Sequence, residues 1–120
     1  MSVWDIANTA PARSSAEIIR KLNDAFRTSM SGGKVVMTSG VAALGDQQVT
    51  RLYRLVRSFD QFDDCNDPHG EHDFGAFDDD GQKFFWKIDY YDAELKFGSE
   101  DPADPKHTTR VLTLMKASEY

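Results

Sequence analysis

Between Asp60 and Asp80 the chain carries nine carboxylates, two histidines and no lysine or arginine. Side chains of these types so close together offer two chemistries. His69, His72 and Asp73, joined by Glu71 and by Asp67 or Asp89, are the ligand types that hold zinc, manganese or iron, with a position left for an activated water. Asp63, Asp64, Asp67, Glu71, Asp78, Asp79 and Asp80 instead form an acidic surface suited to a basic protein partner and unsuited to a phosphate backbone. Spacing counts against the metal: neighbouring strand residues such as His72 and Asp73 point to opposite faces, so only the loop end near His69 brings them together. The simpler expectation is that His72 caps an apolar face with a satisfied hydrogen bond and His69 sits in a turn. Arg51, Arg54 and Arg57 offer the opposite charge, at spacing three along a helix flank. With Lys34, Arg13 and Arg20 they suit nucleic acid or an acidic partner, although pairing with the protein's own carboxylates is the plainer reading. Lys87, Tyr90 and Tyr91 have acid–base capacity and read more simply as pairing and packing groups.

Several elements must position these groups. Ser14-Ser15-Ala16-Glu17 is a capping box that starts a helix. Ile18, Ile19, Leu22, Ala25 and Phe26 then recur at helical spacing, with Arg20, Lys21, Asp24 and Arg27 outside, until Ser31-Gly32-Gly33 ends the pattern. Lys34 to Thr38 is short, β-branched and bounded by glycines, which predicts a strand buried on at least one face. The SGGK piece precedes a strand instead of following one and lacks the longer phosphate-loop pattern. A second helix is expected from about Asp46 to Phe59, with Val49, Leu52, Tyr53, Val56 and Phe59 on one face.

Asn66 to Tyr91 reads as one β-hairpin. A three-residue loop Asp79-Asp80-Gly81 pairs Phe77 with Lys83 and Asp73 with Lys87. It puts His72, Phe74, Ala76, Phe84, Trp86, Ile88 and Tyr90 on one nearly apolar face. A two-residue Asp80-Gly81 loop mixes Asp73 and Glu71 into the Trp86 face, so the hydrophobic pattern favours the longer loop. Residues 92–105, with two prolines, form a connection that Leu95 and Phe97 would pin by docking into the core. Thr108 to Ala117 is read as a strand beside the hairpin, with a short helix as the alternative.

The whole is an α+β domain: two N-terminal helices packed on a small, mainly antiparallel β-sheet built around a central hairpin. A flexible lead is expected over residues 1–13 and a single domain over 14–120, since 120 residues with 40% hydrophobic content suit one core. No apolar run approaches the roughly 20 residues of a membrane span, and no basic-then-apolar leader is seen, so a cytoplasmic protein is expected. Cys65, the single cysteine, cannot form an internal disulfide and excludes a cysteine-rich zinc framework; it reads as a spectator thiol. The net charge of −6 divides unevenly, residues 1–60 carrying 8 basic against 5 acidic side chains and residues 61–120 carrying 6 against 15.

The strings NDPHGEHDFGAF, FFWKIDYYDAELKFGSEDPADP and RVLTLMKASEY, with KLNDAFR and VVMTSGVAALG before them, resemble the bacterial family catalogued as domain of unknown function 3768, over about residues 17–120. The resemblance implies kinship and transfers no catalytic residue; it also implies an association with plasmids and other mobile elements of Proteobacteria. Three functions follow as expectations. The first is a non-enzymatic accessory protein that binds another protein through its acidic surface, in a sharper form as an inhibitor of a host factor or a mimic of DNA charge. The second is a metal-dependent hydrolase or metal-binding domain at His69–Asp73. The third is a nucleic-acid-binding module on Arg51, Arg54 and Arg57, opposed by the isoelectric point near 4.9. The first is preferred, with a protein partner and no cofactor; oligomeric state is not legible.

Overall fold

Ser14 starts the first helix as its spacing from Glu17 predicts: in a computed structural model that describes residues 14–120, its hydroxyl accepts the Glu17 amide at 3.1 Å. The lead expected over residues 1–13, Arg13 included, lies outside the described residues. Helix α1 (Ser15–Ser29) ends at Met30, whose left-handed φ of 57° closes the helix on Phe26 O. Strand β1 (Lys34–Met37), a one-turn helix α2 (Ser39–Ala42) and helix α3 (Asp46–Arg57) follow. Then come β2 (Phe74–Asp79), β3 (Gln82–Tyr91), β4 (Thr109–Lys116) and a closing 3-10 turn at Ala117–Glu119.

The four strands form one sheet in the order β1-β4-β3-β2, antiparallel except for the β1–β4 pair. This is the α+β architecture expected, with the C-terminal segment a strand. Phe84, Trp86, Ile88, Leu112 and Leu114 project from one face of the sheet into the core, where Phe26 of α1, Val41 of α2, Leu52 and Val56 of α3, and Phe59 meet them. Among the described residues no helix is long and apolar enough to cross a membrane.

The structure corrects the expected hairpin. Phe77 pairs with Phe84 and Asp79 with Gln82, so the loop is the two-residue Asp80-Gly81, with φ of 51° and 75°. Both central residues in the left-handed region make this a type I′ turn, which matches strand twist. Every β2 side chain therefore lies on the face opposite to that expected. Gly75 and Phe77 share the core face with Trp86 and Phe84, and Phe74 and Ala76 lie on the other. The cause is Gly75: it pairs with Trp86, and a Cβ there would collide with the indole and with Phe59 at 2.8 Å. An apolar pattern counted along β2 alone cannot see that a hydrogen is the only side chain the indole tolerates. Nor does Asp73 oppose Lys87. Lys87 pairs in register with Phe74 and makes its ion pair with Asp89 at 2.8 Å, an interaction that raises its pKa.

Four smaller expectations also change. His72, at φ 55°, interrupts extended backbone, so the paired strand starts at Phe74 rather than near Asn66. Arg27 is buried and Ala25 exposed, the reverse of their expected places on α1. Strand β1 is an edge with Val36 and Met37 exposed. Leu95 and Phe97 do not dock: they are 42% and 73% exposed. What orders residues 92–105 is local polar bonding, in which the Asp92 carboxylate accepts the Glu94 and Lys96 amides and the Asp104 carboxylate accepts the Lys106 amide.

Gly75→Ala is expected to cost about 1–3 kcal/mol by overpacking against Trp86. Urea unfolding measures it, and a midpoint unchanged from wild type would mean that the indole has room to move.

Candidate functional site

Asn23 occupies a position of the α1 stripe between Ile19 and Phe26 and is fully buried. Its side chain must therefore find partners within the protein. It finds three: Oδ1 accepts Arg110 Nε at 2.7 Å, and Nδ2 donates to Tyr90 Oη at 2.8 Å and to the Glu71 carbonyl at 3.0 Å. Tyr90 donates onward to Glu71 Oε1 at 2.9 Å, and Arg110 Nη2 donates to Pro102 O at 2.5 Å. Arg110 also lies over the Tyr90 ring, 5.2 Å from its centroid. Burial above all, with the Glu71 bond and charge adding to it, raises the Tyr90 phenol pKa far above its ordinary value and keeps the proton on. Burial lowers the Arg110 pKa.

A second polar group starts one residue along α1. Asp24 Oδ1 accepts Arg27 Nη1 at 3.0 Å and meets His72 Nδ1 at 2.9 Å, while His72 Nε2 lies 3.6 Å from Asp67 Oδ2. The imidazole stacks flat on Phe62 at 3.7 Å between centroids. Arg27 donates to the Val56 and Phe59 carbonyls and lies over the Phe62 and Trp86 rings. Its guanidinium thus closes the C-terminal end of α3, where carbonyls have no intrahelical partner. Asp67 Oδ1 accepts the Glu71 and His72 amides and holds the loop that presents His72.

The residues singled out in the sequence are only partly brought together. Asp67 is buried in this loop, Glu71 is bound to Tyr90, and Asp79 takes a bidentate bond from Arg51, Nη2 to Oδ2 at 2.7 Å, with Gln48 as a further donor. That bond lowers the Asp79 pKa. Asp63 caps the Cys65 and Asn66 amides. Asp64, Asp78 and Asp80 are exposed, Asp78 facing Lys83 at 3.4 Å. His69 is exposed, and His72 is held by aspartates rather than by a shared centre with His69 and Asp73. Among the described residues no group of three or more histidine, cysteine or acidic side chains has the arrangement to hold a metal ion. Arg51 is committed to Asp79, whereas Arg54 and Arg57 are exposed. Cys65 is exposed and free.

Sequence reasoning missed a second acidic region. Residues 92–107 wall a cleft of about 550 Å³ lined by Asp92, Glu94, Glu100 and Asp101, with Phe97 and His107. Among the described residues, Phe97 is the second most exposed of the large apolar side chains, after Tyr120. The His107 imidazole meets Asp104 at 2.5 Å, which raises its pKa and lowers that of the aspartate. Four carboxylates around an exposed aromatic ring suit a cationic group: the acids supply charge and the ring a face for a guanidinium or ammonium. The signal was the recurrence of acids at 92, 94, 100 and 101 around an unpartnered phenylalanine in a turn-rich segment.

A family model described as "Protein of unknown function (DUF3768)" matches residues 37–119. No curated protein and no solved structure matches the chain.

Asn23→Ala should cost at least about 2 kcal/mol, because it strands the buried Arg110 and Tyr90 groups; thermal unfolding reads the loss. Asp73 tests electrostatics. Burial first, then the Glu71 charge, raises its pKa above the ordinary 3.8. The folded state therefore binds its proton more readily than the unfolded state, and stability falls as pH rises through this interval. Asp73→Asn should accordingly unfold at a higher temperature than wild type at pH 7, with the gap closing below pH 3.8. A gap that persisted at low pH would refute the electrostatic cause.

Proposed function

The chain belongs to the DUF3768 family of proteins of unknown function, and on that premise we propose that it acts by binding another protein, without catalysis, through its acidic surface. The observation that supports this reading most directly is the cleft of about 550 Å³, in which Asp92, Glu94, Glu100 and Asp101 surround a phenylalanine left 73% exposed. Keeping a large apolar side chain in water beside four acids brings the fold no packing energy, while a partner bearing lysine or arginine beside an apolar residue would bury the ring and meet the charge.

The groups with acid–base capacity support the same reading. Tyr90, Glu71, Asp24, His72 and Asp67 are each hydrogen-bonded into the fold away from this cleft, and His107, which does line it, is bonded to Asp104. Further exposed acids lie elsewhere on the surface, Asp78 and Asp80 at the turn end of the hairpin and Asp64 in the loop before it. The mobile-element association implied by the resemblance gives the proposal its biological form: an accessory protein that occupies a basic surface of a host factor.

The test is affinity capture from a host lysate with three tagged proteins. They are wild type, a cleft variant (Glu94→Lys, Phe97→Ala, Glu100→Lys) and a hairpin variant (Asp64→Lys, Asp78→Lys, Asp80→Lys), none of which touches a carboxylate that caps backbone amides. A partner held by wild type should be depleted about tenfold with the cleft variant, and its capture should weaken as salt rises. Equal capture by wild type and both variants would sink the proposal.

A further inference from the structure

A different part of the surface has the opposite charge. Strand β1 ends the sheet, with β4 on one side and, among the described residues, no strand on the other. The Thr38 amide donates to Leu114 O at 3.1 Å and so faces β4; the alternation of strand backbone turns the amide and carbonyl of Met37 to the open side. Proteins usually blunt such an edge, because unpaired backbone groups accept another chain. Here the edge lies beside an apolar groove of about 410 Å³, lined by Met30, Val35, Met37, Thr50 and Tyr53, with Arg57 at its rim. Val36, on the other face of the strand, is 43% exposed.

The charges around the groove select its occupant. Lys34, Arg54 and Arg57 have no carboxylate partner among the described residues, whereas Arg51, on the same helix as Arg54 and Arg57, is paired with Asp79. An isologous contact between two copies would place these cations against each other. We propose that the β1 edge is a docking site for an extended acidic peptide, which adds as a fifth strand, seats an apolar side chain in the groove and sets a carboxylate on Arg57. Strand addition divides the labour in this way: main-chain bonds supply affinity, and alternate side chains in a groove supply selectivity. This site is separate from the cleft at residues 92–107, so either reading can fail without the other.

The experiment uses the fluorescein-labelled octapeptide Val-Ser-Glu-Ser-Val-Ser-Glu-Ser, which as a strand sets valine and glutamate on the same face, and fluorescence anisotropy against the full chain. Saturable binding is expected, weakened at least about tenfold by Arg57→Glu, a substitution of an exposed side chain that leaves the thermal midpoint near that of wild type. The same peptide N-methylated at alternate residues should lose binding, since methyl groups block the main-chain bonds without altering charge. The same peptide with lysine in place of glutamate should not bind. Absence of saturable binding by the acidic peptide would overturn the proposal, as would binding indifferent to both Arg57→Glu and N-methylation. A self-association abolished by Arg57→Glu, with no peptide bound, would assign the edge to a second copy and overturn it equally.

Discussion

One buried carboxamide holds the described structure together. Asn23 bonds to residues 48, 67 and 87 positions further along the chain, on the loop before the hairpin, on β3 and on β4. Apolar packing would allow α1 to slide or rotate over the sheet at modest cost, because hydrophobic contact has no direction. Hydrogen bonds inside a protein do have direction, and a buried group that loses one retains its desolvation cost. The amide therefore selects a single placement of α1, and with it the positions of Asp24 and Arg27. Those two residues then set His72 and the end of α3. The polar interior is thus a device for uniqueness, and its groups are consumed in that role.

That division organises the surface as well. The acids nearest the core, Asp67, Glu71 and Asp79, face inward to amides, a phenol and a guanidinium. What remains outward is acidic at residues 92–107 and along the hairpin, and basic along α3 and the start of β1. The charge asymmetry visible in the sequence is therefore real in space, but several of the acids that density alone would choose are turned inward.

Elements with local causes were legible. A serine three residues before a glutamate predicted the start of α1, and the spacing of Val49, Leu52, Tyr53 and Val56 predicted α3. Thr and Val crowding predicted β4. What escaped had causes distant in the chain. The hairpin loop follows from Gly75 admitting Trp86, a cross-strand fact. The one-turn α2 contains Gly40, whose amide is held by Glu119, 79 residues away. Arg27 seemed to belong in solvent because nothing nearby in sequence shows that α3 ends against it. Asn23 could have been found, since a polar residue in line with Ile19 and Phe26 must either be exposed or be bonded. Arg110 carries the same signal, standing in strand alternation with Leu112 and Leu114.

The parallel pairing of β1 with β4 has a consequence for how the chain reaches this state. Lys34 lies beside Val111 and Met37 beside Leu114, so the first strand has no place in the sheet until the last has emerged. Closing so long a loop carries an entropic cost before any contact repays it, which slows folding. On the ribosome, α1 and β1 leave the exit tunnel well before β4, and their apolar faces wait uncovered for tens of residues of synthesis. The nascent chain is thus most exposed to chaperones, and to aggregation, while β4 is still being made.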